Sequence, residues 1–486
     1  MEKTEHKVLV ANRGEIAVRI VQACRKLGLE FVCVHTAEDI HSGHVRIAKE
    51  LGGEKSLYQV SSYHDANEIL SVADDAGATA IHPGYGFFAE DFRFARRVTT
   101  RERKLIFIGP SWRVIRELGD KINTKRLARS LGVPTVPGSD RPIYDEMEAE
   151  KIARSLYDFQ LQQGITRPLV LVKASAGGGG MGIEEVYDID QFRSVYRRIR
   201  NYALRQFKDE GVLIEQRICG FNHLEVQIVS DRSGKNPVHF GTRNCSIQST
   251  GLQKRIEVAP GFDSSSIEYD FDADKLLEDI TRHSLALARK VGYDNVGTWE
   301  WIVTKDGSPF LMEVNTRIQV EHGITELVTG VDLVRQQLRI ASGLPLDMAQ
   351  ENVTLTGHAI ECRINAEDPA ADFRPCPGRV EFLHFPGGPG VRVDSALYNG
   401  CTLPPYYDSL AAKVMVHAPT RLEAIRRMRR CLEEFALEGF PTNAELSYEV
   451  LFHPAFVRGS CTTAFLDRSL PELLDFSRRV DGHRGV

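Results

Sequence analysis

The sequence contains no run approaching the ~18 consecutive apolar residues of a membrane span. Its first residues, MEKTEHKVLVANRGE, hold no apolar core of a secretory leader, so a cytoplasmic location is expected. Paired cysteines are also missing. The nine cysteines (24, 33, 219, 245, 362, 376, 401, 431 and 461) are scattered, with no Cys-x-x-Cys among them. An odd count in a large chain fits reduced core thiols better than a disulfide framework. There is no basic excess, because the net charge is -5 and the pI about 6.3, which gives no support to nucleic-acid binding. Internal repeats and low-complexity tracts are absent. What is present is ordinary for a globular protein: 42% hydrophobic and 26% charged residues in 486, enough for roughly two to four domains.

Apolar runs at 7–11, 31–36, 78–83 and 104–110 read as short buried strands. Between the first two, Ile16, Ile20, Val21, Cys24 and Leu27 follow helical spacing, and Gly28 suits a C-cap. This alternation implies a parallel, doubly wound sheet over 1–118, with ligands at the carboxyl ends of its strands. From 119 the texture changes to a helix, a Pro/Gly linker (VPTVPGSD), a charged helix near 144–163, and two strands joined by a glycine run. Strands in an antiparallel rhythm follow, with helices at 275–292 and 330–343, and a long arginine-bearing helix is expected at about 420–438.

The segment GTWEWIVTKDGSPFLMEVNTRIQVEH carries the chemistry. Asp306-Gly307 between two alternating apolar runs signals a two-residue hairpin loop. Lys305 then faces Ser308, and Glu300 stands directly opposite Glu313. Opposed carboxylates repel unless something lies between them, and a hard cation such as Mg2+ fills that role. Continued extension would place Glu313, Asn315, Arg317, Gln319 and Glu321 on one face, with Val314, Thr316, Ile318 and Val320 turned into a core. Metal ligands followed by a guanidinium and a further carboxylate describe an anion site beside a metallated nucleotide. Gly177–Gly180 lie between two strands and lack a following Lys-Ser/Thr, which argues against a Walker A loop. A glycine flap preceded by Lys173 can still approach phosphates.

The run EVNTRIQVEH resembles the EMNTRIQVEH motif of biotin carboxylase and related carboxylating ATP-grasp enzymes. VANRGEIAVRI, IHPGYGFFAED, IFIGPS, VPGSD, KASAGGGGMG, GHAIECRINAEDP and PPYYDS extend the resemblance over residues 7–455. It implies an α/β and α+β multidomain fold. A Rossmann-like domain would cover 1–118 and an ATP-grasp domain 119–337, with a mobile lid at 139–208. A biotin-carboxylase-type C-terminal domain would cover 338–455, and a tail 456–486. By the same resemblance, Lys121, Lys173, Gly177, Gly178, Gly179, Gly180, Glu215 and His223 would line the ATP pocket, and Glu300, Glu313 and Asn315 would hold Mg2+ or Mn2+. Arg317, Gln319 and the Val320 backbone would hold bicarbonate, Glu321 would deprotonate it, Lys254 would assist, and Arg392 would stabilise the enolate-like form of biotin. A homodimer is implied, with Arg19 at its interface.

Three departures from the family pattern stand out. Met181 ends the glycine loop where the family has a basic residue. Ser249-Thr250-Gly251-Leu252 replaces two arginines and a histidine, and Gly323 replaces a proline. No Ala-Met-Lys-Met-type biotinyl segment is present, so biotin is expected on a separate biotin carboxyl carrier protein, used by a separate carboxyltransferase subunit. The leading expectation is the biotin carboxylase subunit of an acetyl- or propionyl-CoA-type carboxylase. The alternatives are another ATP-grasp carboxylate-amine ligase and a nucleotide-binding subunit of reduced activity.

Overall fold

The computed structural model describes residues 6–175, 182–249 and 253–475. Strands β1 (Lys7–Val10), β2 (Glu30–His35), β3 (Leu57–Gln59), β4 (Ala80–His82) and β5 (Ile106–Phe107) form a parallel sheet in the order β3-β2-β1-β4-β5. Both faces are covered, which is why these strands read as continuous apolar runs. Val8 and Val10 enter one core cluster while Leu9, between them, enters another. The helix Gly14–Leu27 ends at Gly28, whose φ of 70° makes a left-handed cap. The chain runs from β1 outward to β3 and returns to β4 on the other side. The loops after β1 and β4 therefore flank the switch point of the sheet. Asn12 staples them, its Nδ2 donating to the carbonyls of Pro83 (2.6 Å) and Tyr85 (2.7 Å).

A second unit carries the helices Glu146–Gln162 and Phe192–Phe207 on a three-stranded antiparallel sheet of β6 (Val170–Ala174), β7 (Ile183–Val186) and β8 (Val212–Gln216). It has its own core, including Val170, Val172, Phe192 and Ile214. The glycine run Gly177–Gly180 and Met181, expected to join its first two strands, lie outside the described residues, as do Thr250, Gly251 and Leu252.

The third unit is an eight-stranded antiparallel sheet. Its strands are β9 (Asn222–Ser230), β10 (Val238–Ser249), β11 (Gln253–Ala259), β12 (Asn295–Val303), β13 (Pro309–Asn315), β14 (His358–Asn365), β15 (Val391–Ser395) and β16 (Leu410–Ala418). They lie in the order β13-β12-β9-β10-β11-β14-β16-β15. The expected border at 337/338 does not divide this sheet, because β11 pairs with β14. The expected tail is also corrected. Phe456, Cys461, Phe465, Leu466 and Leu473 are buried in the core that holds Val414 and Met428, so residues 456–473 are an integral part of the C-terminal fold. Among the described residues, no helix is long and apolar enough to cross a membrane.

Candidate active site

The hairpin brings Glu300 opposite Glu313, by a different route from the one the dipeptide suggests. Val303 pairs with Pro309, and Thr304 N–H donates to the Ser308 carbonyl (3.0 Å), so the loop is Lys305–Gly307. Gly307 has φ 81°, the left-handed residue that closes a three-residue loop. This shifts the pairing by one residue. A bulge at Met312 shifts it back, because Trp301 pairs with Leu311 whereas Glu300 pairs with Glu313. Thr298 then faces Asn315, where the strand ends.

The polar alternation predicts a strand that continues to Glu321. The structure instead shows an irregular segment at 316–321 leading into the helix His322–Thr329. The polar side chains converge all the same, through their own hydrogen bonds. Asn315 Nδ2 (2.7 Å) and Gln319 Nε2 (2.8 Å) both donate to Glu300 Oε1. Arg317 donates to Gln319 Oε1 (2.8 Å), Asn315 Oδ1 (3.0 Å) and Glu90 Oε2 (2.9 Å). Ile318 is fully buried and Thr316 and Val314 nearly so, as expected for the opposite face, while half-buried Val320 borders the cavity.

Behind Glu300 lies a row of charge. Glu225 of β9 pairs with Glu300 on one side and with Arg243 of β10 on the other. Lys254 reaches into this row, bonding Glu225, Glu300 (3.2 Å) and Glu321 (2.9 Å). Arg363 of β14 closes it, 3.0 Å from Glu321 Oε2 and 2.6 Å from Glu257 Oε1. Burial opposes ionisation of Glu300, but Lys254 and His223 hold its carboxyl far below the usual range. Burial likewise opposes ionisation of Glu321, and Lys254 and Arg363 hold it ionised. Glu225 is pushed up, by burial first and then by the charge of Glu321. Neighbouring carboxylates are thus driven apart in acidity by burial and by the cations between them.

His223 uses both ring nitrogens, toward Glu300 Oε2 (2.8 Å) and Gln248 (2.7 Å). Lys121 meets Glu313 at 2.8 Å. Glu215 of β8 binds both Lys173 of β6 and Lys125 of the helix Lys121–Ser130, tying the second unit to the third. Despite burial, these lysines draw Glu215 down to about 2. Among the described residues, His223, Glu225 and Glu300 present one ligand atom each within 4.8 Å of one another, as do Glu225, Cys245 and Glu321.

A cavity of about 740 Å³ opens onto this array, lined by His223, Lys254, Glu300, Glu313, Arg317 and Arg363 on one wall. The two switch-point loops, with Arg13, Glu15, Tyr85 and Phe87, and the segment Tyr406–Asp408 form the other. Arg392, expected beside the reacting biotin, is not brought here. Its guanidinium is taken by Glu326 (2.6 Å) and Asp394 (2.6 Å), and it is Arg363 that stands in the cavity wall beside Glu321. Arg19 is 4% exposed, bonded within the chain to Glu326 (2.8 Å) and Asp332, and so is not a free surface residue in this chain. Glu225, Arg243 and Glu257 escape a reading of the sequence by motif, and Arg363 lies within GHAIECRINAEDP without being singled out there. The signal they carry is charge on otherwise apolar strands, where isolated charges are costly unless paired.

Fold and site together define an ATP-dependent ligase of the ATP-grasp class. Residues 4–115 match the family "Biotin carboxylase, N-terminal domain", 120–349 match "Carbamoyl-phosphate synthase L chain, ATP binding domain", and 361–468 match "Biotin carboxylase C-terminal domain". The chain belongs to the biotin carboxylase family. It is 42% identical over 460 residues to biotin carboxylase of Nostoc sp., covering 95% of this chain and 98% of that one. A crystal structure of the biotin carboxylase domain dimer of Hydrogenobacter thermophilus 2-oxoglutarate carboxylase, with MgADP, ADP and bicarbonate, superposes with a TM-score of 0.86 at 39% identity, covering 97% of this chain and 98% of that one. A crystal structure of the biotin carboxylase subunit of pyruvate carboxylase superposes with a TM-score of 0.78, also at 39% identity, covering 97% of this chain and 100% of that one.

Proposed function

We propose that this chain uses ATP and bicarbonate to carboxylate biotin on a separate carrier protein, as the biotin carboxylase subunit of an acetyl- or propionyl-CoA-type carboxylase. The observation that carries the reading is the convergence of Glu300, Glu313 and the Arg317–Glu321 segment around Lys254. Opposed Glu300 and Glu313 with the Asn315 amide offer hard oxygen donors, a set that suits Mg2+ or Mn2+. Glu225, next in the row, joins them as a supporting carboxylate. When bound, the metal supplies charge neutralisation at the nucleotide phosphates.

The remaining chemistry belongs to the side chains. Lys121 and Lys173 exchange their carboxylate partners for ATP phosphates, and His223 and Glu215 border that pocket. Arg317, Gln319 and Val320 orient bicarbonate; the planar guanidinium fork suits its two oxygens. Glu321 is ionised and accepts its proton as it attacks the terminal phosphorus. Engagement of Lys254 and Arg363 by substrate weakens their hold on Glu321 and raises its basicity. The carboxyphosphate formed breaks down to CO2 and phosphate, and that phosphate takes the ureido proton of biotin. Arg363, rather than Arg392, supports the resulting anion.

The test is ADP release with bicarbonate present, with and without free biotin. Bicarbonate-dependent turnover stimulated by biotin is expected; turnover indifferent to biotin sinks the reading in favour of another carboxylate-amine ligase. The acceptor is tested by co-purifying the carrier and transferase subunits and comparing acetyl-CoA, propionyl-CoA, pyruvate and 2-oxoglutarate as carboxyl acceptors. Transfer to a 2-oxo acid alone overturns the acyl-CoA assignment.

A further inference from the structure

Beyond the cavity, the same sheet face carries a completely buried cation. Lys413 of β16 is 0% exposed. In register it stands between Arg363 of β14 and Asp394 of β15. Its ammonium donates to the carbonyl of Val320 (2.9 Å) and lies 3.1 Å from Glu15 Oε1 and 3.8 Å from Asp394 Oδ2. Stripping an ammonium of water is costly, and its two carboxylates only offset that cost. An apolar residue paired with a neutral one at position 15 would fill this space without that desolvation cost, so the contact to Val320 calls for an explanation.

The position of Val320 supplies it. Residues 316–321 belong to no strand or helix, so no ladder of backbone bonds fixes them. Their carbonyls are held instead by side chains: His322 Nδ1 meets that of Gln319 (2.8 Å), and Lys413 that of Val320. Glu15, the nearer of the two carboxylates beside Lys413, accepts from the Tyr85 hydroxyl, and both of those residues line the opposite wall of the cavity. One ammonium, itself outside the cavity lining, thus ties together its two walls.

We propose that Lys413 is a positioning residue for this reaction, which fixes the Gln319–Glu321 segment relative to the Glu15–Tyr85 wall so that the anion, its base and the acceptor meet. It touches no substrate and acts through the Val320 carbonyl and Glu15. The inference rests on the function proposed above, in which Gln319 and Val320 hold bicarbonate. The nucleotide lysines Lys121 and Lys173 have no contact with it, so ATP binding is spared.

Steady-state ADP release by Lys413→Met tests this, with bicarbonate and ATP varied separately. The KM for bicarbonate is expected to rise about tenfold, as for a lost charge-assisted hydrogen bond, while the KM for ATP stays within about twofold of wild type. Because the single variant leaves Glu15 without its cation, while Asp394 keeps Arg392, the double variant K413M/E15Q is measured beside it. Restored thermal stability with the bicarbonate KM still raised supports positioning. A double variant of wild-type stability and wild-type bicarbonate KM overturns it, as does a parallel rise in both KM values. Wild-type protein without bicarbonate-dependent turnover would instead refute the underlying function, a distinct result.

Discussion

Glu257 offers the most direct measurement of how the charged sheet face is balanced. It is fully buried on β11, directly opposite Glu361 of β14, so two carboxylates share one dry site. Arg363 lies 2.6 Å away but without hydrogen-bond alignment, and neither Glu257 oxygen has a hydrogen-bond partner. Burial therefore prevails over Arg363, and with Glu321 adding repulsion the carboxyl is pushed from 4.5 to about 7. The folded chain then keeps a proton that the unfolded chain releases. Folding carries no penalty at this site below pH 4.5, a growing one between 4.5 and 7, and a constant one above. At 1.36 kcal/mol per pH unit the full penalty is about 3 kcal/mol, of which about 2.5 falls between pH 5 and pH 8. Glu257→Gln carries no proton to lose. Urea unfolding of both proteins at the two pH values is therefore expected to show the variant gaining about 2.5 kcal/mol on wild type from pH 5 to pH 8. The loss of the Arg363 contact lowers the variant's stability but is carried by one molecule through both measurements. A stability difference identical at the two pH values would refute the account of a proton held in this site.

Other outcomes follow from the same geometry. Arg363→Met is expected to lower biotin-stimulated turnover about 100-fold, whereas Arg392→Met leaves turnover within about threefold and instead lowers stability by about 3 kcal/mol through its stranded partners; free-biotin kinetics and urea unfolding separate the two. Glu215→Gln is expected to raise the KM for ATP. Its pKa near 2 is below the ordinary 4.5, so the stability it contributes is complete above pH 4.5 and lost as pH falls toward 2. The wild-type advantage over this variant in urea unfolding, about 3 kcal/mol at pH 7, should shrink as pH is lowered through 4. Glu300→Gln and Glu313→Gln should each raise the Mg2+ concentration for half-maximal ATP turnover by about tenfold or more, read by metal titration at saturating ATP; an unchanged requirement in both would place the metal elsewhere.

Much of the site is legible in the sequence because it is local. Glu300 and Glu313 sit on one hairpin, and the glycine at 307 marks its turn whichever loop length is chosen. A two-residue loop predicts the opposition of the two carboxylates, and the chain reaches it through a three-residue loop and the bulge at Met312. Two displacements of one residue cancel. Neither is visible in the alternation of polar and apolar residues, because the bulge answers to packing: Leu311 and Val314, three residues apart on the bulged strand, both enter the core opposite Trp301 and Trp299. The alternation is a sound guide to the end of this hairpin and a poor one along its length.

The exchange of Arg392 for Arg363 shows where local reading ends. Both arginines lie in alternating apolar strands, and each has a carboxylate to pair with. What separates them is the order of strands in the sheet. β14 follows β11 and so stands beside Lys254 and Glu257, while β15 is the outer edge, two strands further away. That order is set by pairings between residues about 100 apart in the chain, such as Ile256 with Cys362. The same holds for Glu225, Arg243 and Lys413, each innocuous in its own strand and decisive only beside its neighbours. Charge on a strand that is otherwise apolar is costly enough that it must be answered from an adjacent strand. The buried cations and their carboxylates thus encode sheet order, which a single sequence carries as scattered charges and the fold assembles into one row.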